Sequence, residues 1–146
     1  MIRGKRVRES WPKAIAFALS WEGGYSNDPD DPGGETNFGI SKRYHPNEDI
    51  KNMTKERAME IYKGSYWYAM KCDELPYPLD MVVFDCAINP GLGRAQMFLE
   101  QSKDWRDVIF YREQHYADRA KKTPKFFAGW INRSLALWRA AKGGAV

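Results

Sequence analysis

Residues 10–24 read Ser-Trp-Pro-Lys-Ala-Ile-Ala-Phe-Ala-Leu-Ser-Trp-Glu-Gly-Gly, and residues 25–41 continue Tyr-Ser-Asn-Asp-Pro-Asp-Asp-Pro-Gly-Gly-Glu-Thr-Asn-Phe-Gly-Ile-Ser. A helix-forming run meets two glycines here and then a long turn-forming segment. Ser10 can cap a helix from Trp11 to about Trp21, with Pro12 tolerated in its first turn and Ile15, Ala18 and Leu19 on one face. Gly23 and Gly24 are expected to stop it, because glycine readily takes the left-handed conformation at a helix C-terminus. Ser26 to Gly34 is turn chemistry throughout, and Thr36 to Ser41 suits a short strand or the edge of a hairpin.

Working outward, the rest of the chain reads as helices. Thr54 starts one that runs through Ala58 and Ile61 to about Met70, and Leu75-Pro76-Tyr77-Pro78 breaks the chain. Leu79, Val82, Val83, Cys86 and Ala87 mark a buried helix ending near Asn89-Pro90-Gly91. A short helix spans Arg94 to Ser102, and Asp104 caps another that reaches about Ala120. After Pro124 a last helix carries Phe127, Trp130, Ile131, Leu135 and Trp138 at helical spacing, a stripe expected to face the core. No repeat, linker or low-complexity segment divides the chain. The expected fold is mostly α, a single domain over residues 1–146 with a small irregular or β-hairpin segment after the first helix.

Composition narrows the function. The 146 residues are 43% hydrophobic and include 6 Trp, 8 Tyr and 7 Phe, more aromatics than a small core requires and suited to the flat apolar faces of sugars. The net charge of +4 favours anionic surfaces without choosing among wall, membrane and nucleic acid. Arg3, Lys5, Arg6 and Arg8 read as a basic N-terminal arm over residues 1–9, and no helix carries the sustained basic stripe of a nucleic-acid binder. No apolar run approaches the roughly 18 residues of a membrane span, and Ala14 to Leu19 is too short for a signal peptide and lacks a small-residue cleavage site. Cys72 and Cys86 match no metal spacing and read as two ordinary thiols rather than a disulfide. His45 precedes a proline in a loop and His115 lies on a polar helix face, so no metal site is expected, and no cofactor either.

The chemistry concentrates at Glu22. It ends an apolar helix beside Trp21, where unpaired carbonyls and partial burial both disfavour an anion. A carboxyl group kept protonated in this way can protonate the leaving oxygen of a glycosidic bond, while Asp28, Asp30 and Asp31 in the following turn stay hydrated and ionised. One protected acid and one ionised carboxylate is the pair that glycoside hydrolysis uses. A calcium loop fails, since Pro32 replaces its third ligand and Gly39 stands where the bidentate Glu belongs. A dinucleotide fingerprint at Gly91-Leu-Gly93 also fails, with Gln96 where Gly is needed.

The run from Glu22 to Ile40 resembles the signature of glycoside hydrolase family 108, with Glu22, Asn27, Asp28, Pro29, Asp31, Gly33, Gly34, Thr36, Gly39 and Ile40 on the pattern. Tyr62 to Trp67, Asp73 to Pro76, Phe84 to Asn89 and Pro124 to Arg133 resemble the same family. The resemblance implies a lysozyme-like fold and an endolysin-type N-acetylmuramidase that cuts the β-1,4 bond after N-acetylmuramic acid in peptidoglycan. It carries over a catalytic role to Glu22. The Glu, Asp, Thr order of phage-type lysozymes suggests Asp31 as second carboxylate and Thr36 as a water-positioning group, with Asp28 and Asp30 as rivals and Glu35 an outside candidate. Tyr25, Tyr44 and Trp67 are candidates for stacking on sugar rings or for packing alone. Asn27 and Asp28 are further substrate-binding candidates, and Asn89 suits either an N-acetyl contact or a helix cap.

Family members commonly carry a longer segment between the positions of Arg94 and Asp104, so residues 92–146 resemble a shortened wall-binding region. The implied partners are peptidoglycan glycan strands, with no nucleic acid, no stable membrane insertion and a monomeric chain. The enzyme is expected to stay in the producing cell's cytoplasm until a holin or a secretion route gives it access to the periplasm and wall. Wall remodelling for secretion and non-catalytic wall binding are the competing roles.

Overall fold

The computed structural model describes residues 2–30 and 33–145, and for 2–9 and 144–145 it describes the backbone alone. Helix α1 spans Ile2–Trp21, so it runs back through the expected basic arm. Ser10 therefore does not cap it. That side chain lies 1% exposed and hydrogen-bonds Asp80, and Pro12 sits inside the helix. Ala14, Ile15 and Ala18 face the core. Gly23 and Gly24 follow the helix without positive φ, contrary to expectation, and the chain instead turns on Glu22, whose N–H still reaches the Ala18 carbonyl at 3.2 Å.

The turn-rich segment leads into an antiparallel hairpin of β1 (Thr36–Asn37) and β2 (Ile40–Ser41), with Thr36 opposite Ser41 and Asn37 opposite Ile40. Its two-residue turn has positive φ at both Phe38 (52°) and Gly39 (79°), the handedness that matches twisted strands. Phe38 is held there by Tyr62, whose hydroxyl donates to the Phe38 carbonyl at 2.6 Å. Asn37 is buried and donates to the Ile50 carbonyl at 3.0 Å, which ties the hairpin to the following loop.

Helix α2 (Lys55–Tyr62) starts at Thr54, whose hydroxyl accepts from the Arg57 N–H. It passes into a wide π-turn over Lys63–Trp67 and ends earlier as a regular helix than the periodicity implies. Beyond the Leu75–Pro78 break, α3 (Leu79–Cys86) is buried at all eight positions and packs against α1, α4, α5 and α6. A second wide turn over Ala87–Gly91, extended at Asn89, leads to α4 (Leu92–Gln101). Asp104 caps α5 (Trp105–Ala120), and a short turn at Pro124–Phe126 starts α6 (Phe127–Ala145).

Two expectations about the core are corrected. Trp67 is fully buried, edge-on to Trp11 and Phe84, and donates to Asp73 at 2.8 Å, so it is core and not a sugar platform. The aromatic stripe of α6 faces outward or lies half-buried, with Phe127 38% and Leu135 44% exposed. Its inward face is Arg133, Ser134, Leu137 and Ala141. The helix turns this way because a buried carboxylate on α3 needs a cation, and the arginine supplies it. Cys72 and Cys86 are separate buried thiols. Among the described residues no helix is long and apolar enough to cross a membrane.

Candidate active site

Glu22 directly follows α1, and its side chain is 19% exposed. Its Oε1 accepts from Arg133 Nη1 at 2.7 Å. Sequence reading anticipates a helix terminus beside this acid but not a cation. Arg133 in turn grips Asp85 of α3 with two bonds, Nη2 to Oδ1 at 2.8 Å and Nε to Oδ2 at 3.1 Å. Asp85 Oδ2 also accepts from Arg112 Nη1 of α5 at 2.7 Å. Arg112 is braced by Ser134 Oγ at 3.1 Å and the Asn89 carbonyl at 3.2 Å. Two carboxylates and two guanidiniums thus alternate from the core to the surface of the site.

The charges in this chain sustain one another. Burial works to raise the Asp85 carboxyl, but Arg133 and Arg112 outweigh it and hold that group below its ordinary 3.8. Burial also works against both guanidiniums, and the surrounding groups reverse it, with Asp85 foremost for Arg133 and Cys86 and Asp85 for Arg112. Removing one partner of such a buried set leaves an uncompensated charge, at a cost of about 3–5 kcal/mol.

The other carboxylate oxygen meets the hairpin. A Cβ placed on Gly39 would lie 2.5 Å from Glu22 Oε2 and 2.5 Å from the Tyr62 hydroxyl. Only glycine permits that approach, and its φ of 79° independently favours glycine. Two hollows flank the Phe38–Gly39 turn, Phe38 lining one and Gly39 the other. One, of about 590 Å³, is apolar and runs between α1 and α2, with Glu22 and Phe38 on its wall. The other, of about 750 Å³, holds Gly39, Ser41, Tyr44, His45 and Tyr66, faced by Ile88, Pro90 and Leu92. Glu22 lines the first, and its Oε2 lies against Gly39, which lines the second. Its charge is felt by Tyr62 and Tyr66, whose hydroxyls burial and that charge push up, so both remain proton donors.

The expected site residues divide. Tyr44 is 72% exposed on the larger hollow, where a stacking surface belongs. Tyr25 is 42% exposed and donates to Glu35 Oε2 at 2.7 Å, which occupies both members of that pair. Asn27 and Asp28 are exposed, and Asp28 Oδ1 accepts from the Asp30 N–H at 2.9 Å, so it acts as a turn former. Thr36 is half-buried in β1, with its backbone paired to Ser26. Asn89 Oδ1 accepts from the Tyr116 hydroxyl at 2.9 Å, a bracing role beside the hollow. Asp31 lies outside the described residues. Among the described residues no group of three or more His, Cys, Asp or Glu is arranged to hold a metal.

Sequence reasoning gives no site role to Arg133, Asp85, Arg112, Tyr62 or Tyr66, takes Gly39 only as part of the family pattern, and weighs His45 only as a metal ligand. A signal existed for some of them. An aspartate inside the otherwise apolar Val82-Val-Phe-Asp-Cys86 must find a cation when it is buried.

The glycosyl hydrolase 108 family model matches residues 15–91, more than half of the chain. The chain belongs to glycosyl hydrolase family 108. As a member of that family it is a glycoside hydrolase, and the match takes in Glu22, the hairpin, both tyrosines and Asp85. The solved structure of SagA from Brucella abortus is similar over 93% of this chain and 95% of that one, with a TM-score of 0.78 at 25% identity. That likeness extends the shared fold past residue 91 to the helices that carry Arg112 and Arg133. No curated protein matches.

Proposed function

We propose that this family 108 glycoside hydrolase is an N-acetylmuramidase, cutting the β-1,4 bond between N-acetylmuramic acid and N-acetylglucosamine in peptidoglycan. The observation that carries this reading is Glu22, a carboxylate fixed by Arg133 on the wall of a hollow and against the Gly39 turn that borders a second, in a protein of this family. With Oε1 engaged by the guanidinium, Oε2 is the atom left to face the leaving oxygen, and the general-acid step delivers a proton that Glu22 has first taken up there. Asp31 is proposed as the second carboxylate and Thr36 as the group that orients water. Hydrolysis then needs no cofactor.

The biological setting is also a proposal. The enzyme serves cell lysis as an endolysin, waits as a monomer in the cytoplasm, and reaches the wall through a holin or secretion route. Glu22→Gln should retain glycan binding while wall clearing falls by about 10³-fold or more, as expected for loss of a general acid together with its electrostatic effect. Near-normal lysis by that variant would remove Glu22 from the mechanism. Mass spectrometry of digested peptidoglycan tests the bond cleaved: reducing-end muramic acid is expected, and reducing-end glucosamine or free peptides would refute the muramidase.

A further inference from the structure

The larger hollow contains a polar pair that the hydrolytic step does not use. His45 Nε2 lies 3.4 Å from the Tyr66 hydroxyl, with the rings 6.4 Å apart and tilted by 43°. Both line the larger hollow together with Gly39. At 3.4 Å the contact is a weak hydrogen bond, so exchanging it for a ligand atom forfeits little. Ser65 adds a hydroxyl beside Tyr66, and Ile88, Pro90 and Leu92 supply apolar surface.

Such an arrangement suits an acetamido group. Its methyl needs apolar contact, its carbonyl a donor and its N–H an acceptor. The Tyr66 hydroxyl stays protonated and can donate. Burial pulls His45 below its usual 6.5, against Glu48, which raises it, and with Arg57, which lowers it. The imidazole is therefore neutral near neutral pH and retains one acceptor nitrogen. A structural role, tethering the loop after β2 to the π-turn of α2, predicts a filled contact at shorter range, and a pair facing open volume is not that.

We propose that His45 and Tyr66 form the acetamido-binding pair of the cleft, selecting N-acetylated over free-amine hexosamines next to Glu22. This rests on the reading of the cleft as a glycan site. The test uses the full-length Glu22→Gln protein, which binds without cutting, titrated with tri-N-acetylchitotriose and separately with the fully deacetylated trimer. The His45 Hε1 resonance, assigned with His45→Gln, is expected to shift with the acetylated trimer alone. In the active enzyme His45→Ala and Tyr66→Phe should each raise KM for soluble peptidoglycan fragments about tenfold, with kcat within about twofold.

Saccharide-induced shifts elsewhere in the cleft with none at His45 would overturn this inference alone. Equal response to the deacetylated trimer would overturn the selectivity. No shift anywhere would overturn this inference and the glycan-cleft reading together. A fall in kcat and melting temperature at unchanged KM would reduce the pair to a tether.

Discussion

The two ends of α3 carry one buried aspartate each, and the protein treats them oppositely. Asp80, 0% exposed, has no arginine beside it among the described residues; burial pushes its carboxyl up to about 6, although the Ser10 hydroxyl and the Met81 N–H both favour its charge. Asp85, 1% exposed, is held below 3.8 by two arginines. Equal burial with opposite shifts shows that the partners of a carboxylate, not burial alone, decide how readily it carries charge in this core. At Asp85 one partner is the Arg133 side chain, whose far end reaches Glu22.

The largest effect should come from breaking the charged end. Asp85→Asn leaves Arg112 and Arg133 without their carboxylate, and denaturant unfolding should show a loss of about 3–5 kcal/mol. Wall-lysis activity should fall with it, by more than the unfolded fraction explains, because Arg133 loses its anchor. A stability loss with specific activity per folded molecule unchanged would show that the network is purely structural.

Gly39→Ala approaches the same carboxylate from the hairpin. The new methyl collides with Glu22 Oε2 and the Tyr62 hydroxyl and must sit at positive φ, costing about 1–2 kcal/mol in stability and tenfold or more in turnover. Thermal unfolding and initial lysis rates measure the two separately. Arg133→Lys keeps a charge but not the fork that spans Glu22 and Asp85. Its expected loss of about 1–3 kcal/mol should be accompanied by a changed pH profile of lysis, since the cation beside Glu22 becomes less firmly placed.

The smallest effect belongs to the Asp80 end. The Asp80 carboxyl titrates higher when folded than at its ordinary 3.8, so its contribution is full below about 3.8 and declines as pH rises to about 6. Asp85, held below 3.8, contributes above that value and loses its effect as pH falls. Asp80→Asn should therefore stabilise the protein by about 1–2 kcal/mol at pH 7, leave it little changed at pH 4, and leave activity intact. Unfolding curves at the two pH values check this. Destabilisation at pH 7 would mean that the ionised form of Asp80 is favoured after all.

Much of the fold was legible because it depends on local chemistry. Thr54 and Asp104 cap the helices they were expected to cap, the Leu75–Pro78 break holds, and the segment after Glu22 forms a hairpin. The failures share a cause. Apolar spacing on α6 selected Phe127, Ile131 and Leu135 as the inward face, but the buried charge on α3 rotated Arg133 and Ser134 inward instead. Trp67 stayed open between stacking and packing because an aromatic near a sugar-binding motif looks the same in sequence whether it packs on Phe84 or on substrate. Glu22 itself was readable from its helix end, whereas its cation was not, because no periodicity links two helices so far apart in the chain.

That distance bears on how the protein is made. Arg133 lies 111 residues after Glu22, on the last helix. A ribosome exposes the helix that leads into Glu22 well before the helix that secures its carboxylate. A nascent chain therefore carries Glu22 without its clamp, and the pair can form only once α6 has emerged.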